Sequence, residues 1–170
     1  MKYSMRGNVD PFIVMDVMEN ARKAEEGGRK IIHMEVGQPS TAAPSDALER
    51  TSQIIKSNPL GYTVALGLPE LRKKISNLYG RWYNLDIDPS RVIVTSGSSG
   101  AFILSFTALF EEGARVGIGA PGYPSYRQIL KSLGISPVDI VTNVKNKFLP
   151  TAKDVVSQNL DGLLVASPSN

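Results

Sequence analysis

This sequence predicts an α/β fold built on a mostly parallel sheet, and two patterns carry that prediction. From Arg91 onward, short apolar or β-branched runs alternate four times with helix-length segments, as parallel strands joined by crossovers do. Between the first run, Arg91-Val92-Ile93-Val94, and the apolar segment from Ala101 to Phe110 lies Thr95-Ser96-Gly97-Ser98-Ser99-Gly100, a strand-to-helix turn of small residues. Such a turn aims unpaired backbone N–H groups and the positive end of a helix dipole at one place, and its small side chains let an anion approach. Glycine and serine also build ordinary turns and caps, so both readings of the stretch stand.

Taken in order, the chain opens with a helix signal at Asp10-Pro11, aspartate as N-cap and proline at the first helical position, followed by Phe12, Ile13, Met15, Val17 and Met18 and ended near Glu26 by Gly27-Gly28. Ile31 to Val36 reads as a short strand, broken by Gly37-Gln38-Pro39-Ser40. His33 inside it reads as structural, since nothing near it in sequence supplies a catalytic partner. A second helix is expected from Ser45 to Lys56 and a third from the Gly67-Leu68-Pro69 opening to Trp82 or Tyr83, with loops around Asn58–Thr63 and Asp86–Ser90. After the serine-glycine turn come a helix over Ala101–Phe110, a strand over Arg115–Ile118, a turn at Ala120–Pro124, a helix from Ser125 to Leu133, a strand over Val138–Thr142, a helix from Thr151 to about Asn159 and a strand over Gly162–Ala166.

Composition removes several classes of function. With 170 residues, 42% hydrophobic and 21% charged, the chain can bury a core and is neither disordered nor fibrous. It has no cysteine, so thiol nucleophiles and disulfide frameworks are out, which fits a cytoplasmic location; its single histidine leaves no metal site to expect. No apolar signal region follows Met1–Arg6, and the Ala101–Phe110 run is too short to span a bilayer, so no membrane association is expected. The net charge of +3 is spread among acids, as in Arg22-Lys23-Ala24-Glu25-Glu26, and the basic triplet Arg72-Lys73-Lys74 reads as a solvated helix face. No nucleic-acid partner is expected.

In open α/β sheets, ligands bind beyond the carboxyl ends of the strands. There the sequence places Ser98 and Ser99 after the first strand of the alternation, Pro121-Gly122-Tyr123-Pro124 after the second and Asn170 after the fourth, so a phosphate cradle, an aromatic face and an amide share one edge. A dinucleotide fingerprint is missing from Ser96–Gly100, and so is the Gly-Lys of a Walker loop. A serine-hydrolase elbow with Ser99 as nucleophile matches Gly97-Ser98-Ser99-Gly100-Ala101, but it needs a histidine later in the chain, and none follows His33.

Five pieces in order, Val36-Gly37-Gln38-Pro39, Gly61-Tyr62-Thr63 with Gly67-Leu68-Pro69-Glu70-Leu71-Arg72, Val94–Ala101, Pro121–Tyr126 and Ala166-Ser167-Pro168-Ser169-Asn170, resemble the class I/II aminotransferases of fold type I. The resemblance implies dependence on pyridoxal 5'-phosphate, amino-acid and 2-oxo-acid substrates, and a three-layer sandwich whose large domain, here partial, covers 31–170. Residues 1–30 would be an N-terminal arm and helix of the small domain. Ser98, Ser99 and Gly100 then match the cofactor-phosphate loop, Tyr123 the ring that stacks on the pyridine, and Asn170 the amide that donates to the cofactor's ring oxygen. Gly37 matches the backbone that meets the substrate carboxylate, and Tyr62 a tyrosine that reaches the neighbouring subunit's phosphate, which implies a homodimer. The family's cofactor-bearing lysine, its pyridine aspartate and its carboxylate-binding arginine lie beyond the Asn of an Asn-Pro-Thr-Gly motif, matched here by Asn170. No catalytic residue is therefore assigned, and the chain is expected to be an N-terminal portion, inactive alone. Other fold type I chemistry, such as a carbon–sulfur lyase, and a non-catalytic partner chain remain open alternatives.

Overall fold

The computed structural model describes residues 3–168, which form two compact units. One contains the chain up to Glu19 and from Ser96 onward; the other is Asn20–Thr95.

The first unit holds the sheet. Its elements are α4 (Gly97–Leu109), β1 (Arg115–Ala120), α5 (Pro124–Ser132), β2 (Ser136–Val141), the short α6 (Ala152–Val156) and β3 (Gly162–Leu164). The strands run parallel in the order β2-β1-β3, with Val116 opposite both Pro137 and Gly162. The parallel α/β class expected from the alternation is therefore present, with each strand after β1 entered through a helix. Val116, Ile118, Leu130, Ile135 and Phe106 form the buried core, with Phe102, Phe110, Tyr126 and Leu164 packed against them. Close packing explains the small residues of the sheet: a Cβ on Gly117 would meet Leu160 at 2.7 Å, and one on Gly162 would enter the ring of Phe110. Thr151 and Asp154 form a capping box, each side chain binding the other's backbone N–H, but α6 ends at Val156, short of the expected Asn159.

The second unit is held differently. It contains the second half of α1 (Ile13–Glu26), then α2 (Ser45–Ser57) and α3 (Pro69–Tyr83). Arg72 of α3 donates from Nε to the carbonyls of Pro89 (3.1 Å) and Val92 (2.8 Å), and from Nη2 to Pro89 (2.8 Å). Ser76, buried, donates to the carbonyl of Ile87. Gly67 turns the chain into α3 at φ +96°, and a Cβ there would sit 2.5 Å from Val94 Cγ2.

Two expected strands are not formed, for a shared reason. At Arg91–Val94, Asp88 and Pro89 start a 3-10 turn, Arg72 takes the Val92 carbonyl, and the Val94 N–H goes to the Leu66 carbonyl at 3.1 Å. At Ile31–Val36, the Met34 N–H goes to the carboxylate of Glu35 at 2.9 Å, and Gln38 N–H closes a tight turn on Val36. Side chains and local turns have taken the groups a ladder would need. The Asp10 N-cap is also corrected: α1 begins at Ile13, and the Asp10 carboxylate meets Lys131 instead.

Candidate functional site

The serine-glycine stretch does not precede the helix; it is the helix's first turn. α4 starts at Gly97, which adopts φ +72°, and the N-cap Ser96 makes no side-chain capping bond. By helix geometry the N–H groups of Ser98 and Ser99 have no intrahelical carbonyl to bind, and no acidic side chain lies in this turn to neutralise the dipole. Glycine suits position 97 because a left-handed φ strains other residues, and the space around a Cβ there is open. The turn therefore offers amide donors, two hydroxyls and a positive dipole end without bulk, the properties an anionic oxygen cluster needs.

Tyr123 lies one short loop beyond β1, after the cis Ala120–Pro121 peptide, and is the N-cap residue of α5. The residue is 37% exposed, accessible enough to meet a planar ligand. It lines a cleft of about 310 Å³ together with Gly119, Gly122, Tyr126, Pro150 and Val165, at the carboxyl ends of β1 and β3. A chain of edge-on rings joins this loop to α4: Tyr123 to Tyr126 (5.3 Å between centroids), and Tyr126 to Phe102 (5.1 Å), which follows Gly100 by two residues. Ser98, Ser99 and Gly100 are not among the residues lining the cleft itself. The two loops are linked only through their helices, α4 packing on α5 with Phe102 against Tyr126.

Gly37 and Tyr62 belong to the Asn20–Thr95 unit. Gly37 is the middle residue of the tight turn closed by Gln38 N–H on the Val36 carbonyl, with open space beside it, and Tyr62 is fully exposed on its loop. Asn170 lies outside the described residues. Among the described residues, no cluster of three potential metal ligands exists and no helix is long and apolar enough to cross a membrane.

His33 departs from the sequence reading in one respect: it does have partners. Its Nδ1 lies 2.6 Å from Glu35 Oε1 and its Nε2 3.0 Å from Glu25 Oε1. With a carboxylate on each nitrogen the ring is favoured as imidazolium, so Glu35 first and Glu25 second raise its pKa above the ordinary value, while His33 holds Glu35 below the usual carboxylate range. Glu25 is eight residues away in sequence, on the last turn of α1. Phe12 and Arg72 were likewise missed; only their partners, Tyr123 and the Pro89–Val92 carbonyls, give them meaning.

Comparison with known proteins follows the same lines. The family described as aminotransferase class I and II matches residues 29–170. The chain is 40% identical, over 99% of its length, to the valine–pyruvate aminotransferase of Mycobacterium tuberculosis, of which it spans 44%. A crystal structure of an aminotransferase from Mycobacterium tuberculosis superposes with a TM-score of 0.94 at 40% identity, covering the whole chain and 44% of that structure. A structure from Silicibacter pomeroyi, provisionally assigned as an aminotransferase, is 56% identical with a TM-score of 0.87, again over the whole chain and 43% of its own length. The chain thus spans less than half the length of the relatives it matches, and over that span the motif order, the parallel sheet and the sequence agree: it belongs to the class I and II aminotransferase family.

Proposed function

We propose that this chain contributes the cofactor-phosphate helix and the aromatic face of a pyridoxal 5'-phosphate-dependent aminotransferase, which moves an amino group between an amino acid and a 2-oxo acid. The observation that carries this reading is the acid-free first turn of α4, built of the small residues Gly97, Ser98, Ser99 and Gly100, on a helix linked to Tyr123 through packed rings. The residues fit the group: a phosphate dianion takes the amides and hydroxyls of Ser98 and Ser99, with Gly100 keeping the approach free of bulk, and Tyr123 presents a partly open ring to a planar heterocycle. Bound there, the cofactor supplies an electron sink for the charge left when an amino acid loses its α-proton. The chain's own part is to anchor the phosphate, fix the tilt of the ring and, at Asn170, donate to the ring oxygen.

Gly37 offers an unobstructed backbone to a substrate carboxylate, and the fully exposed Tyr62 suits a residue that reaches a second copy, so we include a homodimer in the proposal. The division into a small-domain part, 1–30, and a large-domain part, 31–170, and a cytoplasmic location belong to the same reading of the whole enzyme. The test is a titration of the protein with pyridoxal phosphate and with pyridoxal, in wild type and in Ser99→Ala. Loss of one charge-assisted hydrogen bond predicts a roughly 10- to 100-fold weaker phosphate ester and little change for pyridoxal. Equal affinity for the two ligands in wild type would remove α4 from the site.

A further inference from the structure

The N-terminal arm is fastened to α5 at two points. Lys131 Nζ donates to Asp10 Oδ2 at 2.5 Å, and Gln128 Nε2 donates to the Asp10 backbone carbonyl at 3.0 Å. The two donors are one turn apart on α5, so they meet one residue of the arm from the same helix face. The Met5–Gly7 turn packs on the same helix. Two residues past Asp10, the Phe12 ring stands edge-on to Tyr123, with centroids 6.3 Å and planes 83° apart.

Tyr123 is thus flanked by two edge-to-face partners of different origin. Tyr126 sits in the first turn of α5 and moves with Tyr123, whereas Phe12 comes from the arm more than a hundred residues earlier. A ring held on one side by its own helix keeps freedom to swing; a second edge from a separate segment narrows its plane. The arm can do this only while docked, and the Asp10 contacts are what dock it. We propose that Asp10 and Phe12 form a clamp through which the N-terminal arm sets the plane of the Tyr123 ring, which makes Phe12 a positioning residue for the ligand stacked on that ring. Assigning the ligand as pyridoxal phosphate rests on the function proposed above; the clamp itself rests on the contacts of Asp10 and Phe12. Lys131 holds the Asp10 carboxyl below its usual range through a hydrogen bond and its charge.

The experiment places 3-fluorotyrosine at position 123 of the full chain and reads its fluorine resonance without added ligand, alongside pyridoxal phosphate affinity and the thermal midpoint. Phe12→Leu keeps bulk and loses the ring edge; it is expected to move the resonance and weaken pyridoxal phosphate by about two- to tenfold, the range one edge-to-face pair supplies, with the midpoint unmoved. Asp10→Lys is expected to move the resonance the same way, and the swap Asp10→Lys with Lys131→Asp to return it. A resonance indifferent to both substitutions, or an affinity loss that merely follows the midpoint, overturns the clamp. A resonance that moves in a protein that does not bind pyridoxal phosphate upholds the clamp and removes only the cofactor from Tyr123.

Discussion

The two units of this chain reach order by different means. The sheet unit buries Phe106, Val116, Ile118, Leu130, Ile135 and Ile140, so its stability comes mainly from apolar surface removed from water. In Asn20–Thr95, Ser76 is the one buried residue among those described, and the contacts that organise it are polar: Arg72 on backbone carbonyls, Ser76 on Ile87, His33 between two glutamates. The first kind of order is strong and diffuse. The second concentrates in single donors, each one removable by a single substitution.

The largest effect should come from the sheet unit. Leu130 is fully buried in the cluster, and Leu130→Ala is expected to cost about 2–5 kcal/mol through lost transfer energy and a residual cavity, read as a lower denaturant midpoint. Arg72→Leu comes next. It strips the Pro89 and Val92 carbonyls of a charged donor and is expected to cost about 1–3 kcal/mol, with amide exchange rising locally at residues 87–94 and not in β1. If exchange rises equally in both units, the contrast drawn between them is wrong.

Gly67→Ala would sharpen the same point. Left-handed φ and the approach of Val94 act together there, so a loss of more than about 1 kcal/mol is expected by chemical denaturation, where the same change at a solvent-exposed helix position would be stabilising. The smallest effect is pH-dependent. Because the folded pKa of His33 is raised, its contribution is complete below the unfolded value of 6.5 and is lost as pH rises through the folded pKa. Glu35 is shifted down, so its share is present above 4.5 and is lost as pH falls through its lowered pKa. The difference in thermal midpoint between wild type and His33→Gln should therefore be greatest near about pH 6 and fade by about pH 9. A difference that grows with pH would mean that the carboxylates do not hold the imidazolium form.

What the sequence made legible follows from this contrast. Alternation of apolar runs and helical segments depends on burial, and from Arg115 to Leu164 it located the strands and α-helices to within a few residues, missing only the 3-10 turn at Val144–Asn146. The small residues of α4's first turn and the loop carrying Tyr123 were legible for a related reason: the turn chemistry is local. Arg91–Val94 and Ile31–Val36 have the composition of strands, yet their backbone groups are taken by the Arg72 guanidinium, the Leu66 carbonyl and the neighbouring Glu35 carboxylate, and no apolar pattern announces those partners. Asp10 shows the same limit. Its place before a helical run reads as a cap, while its partner Lys131 is far along the chain. Phe12 looked like one more apolar residue of α1 until Tyr123 was placed beside it.

The central claim is that a phosphate ester docks on the first turn of α4. Amide hydrogen exchange of Ser98, Ser99 and Gly100, measured with and without pyridoxal phosphate, tests it most directly. The account predicts slowed exchange at Ser98 and Ser99 with the phosphate ester, and no such slowing with pyridoxal. Protection that appears elsewhere while these amides exchange unchanged would contradict it.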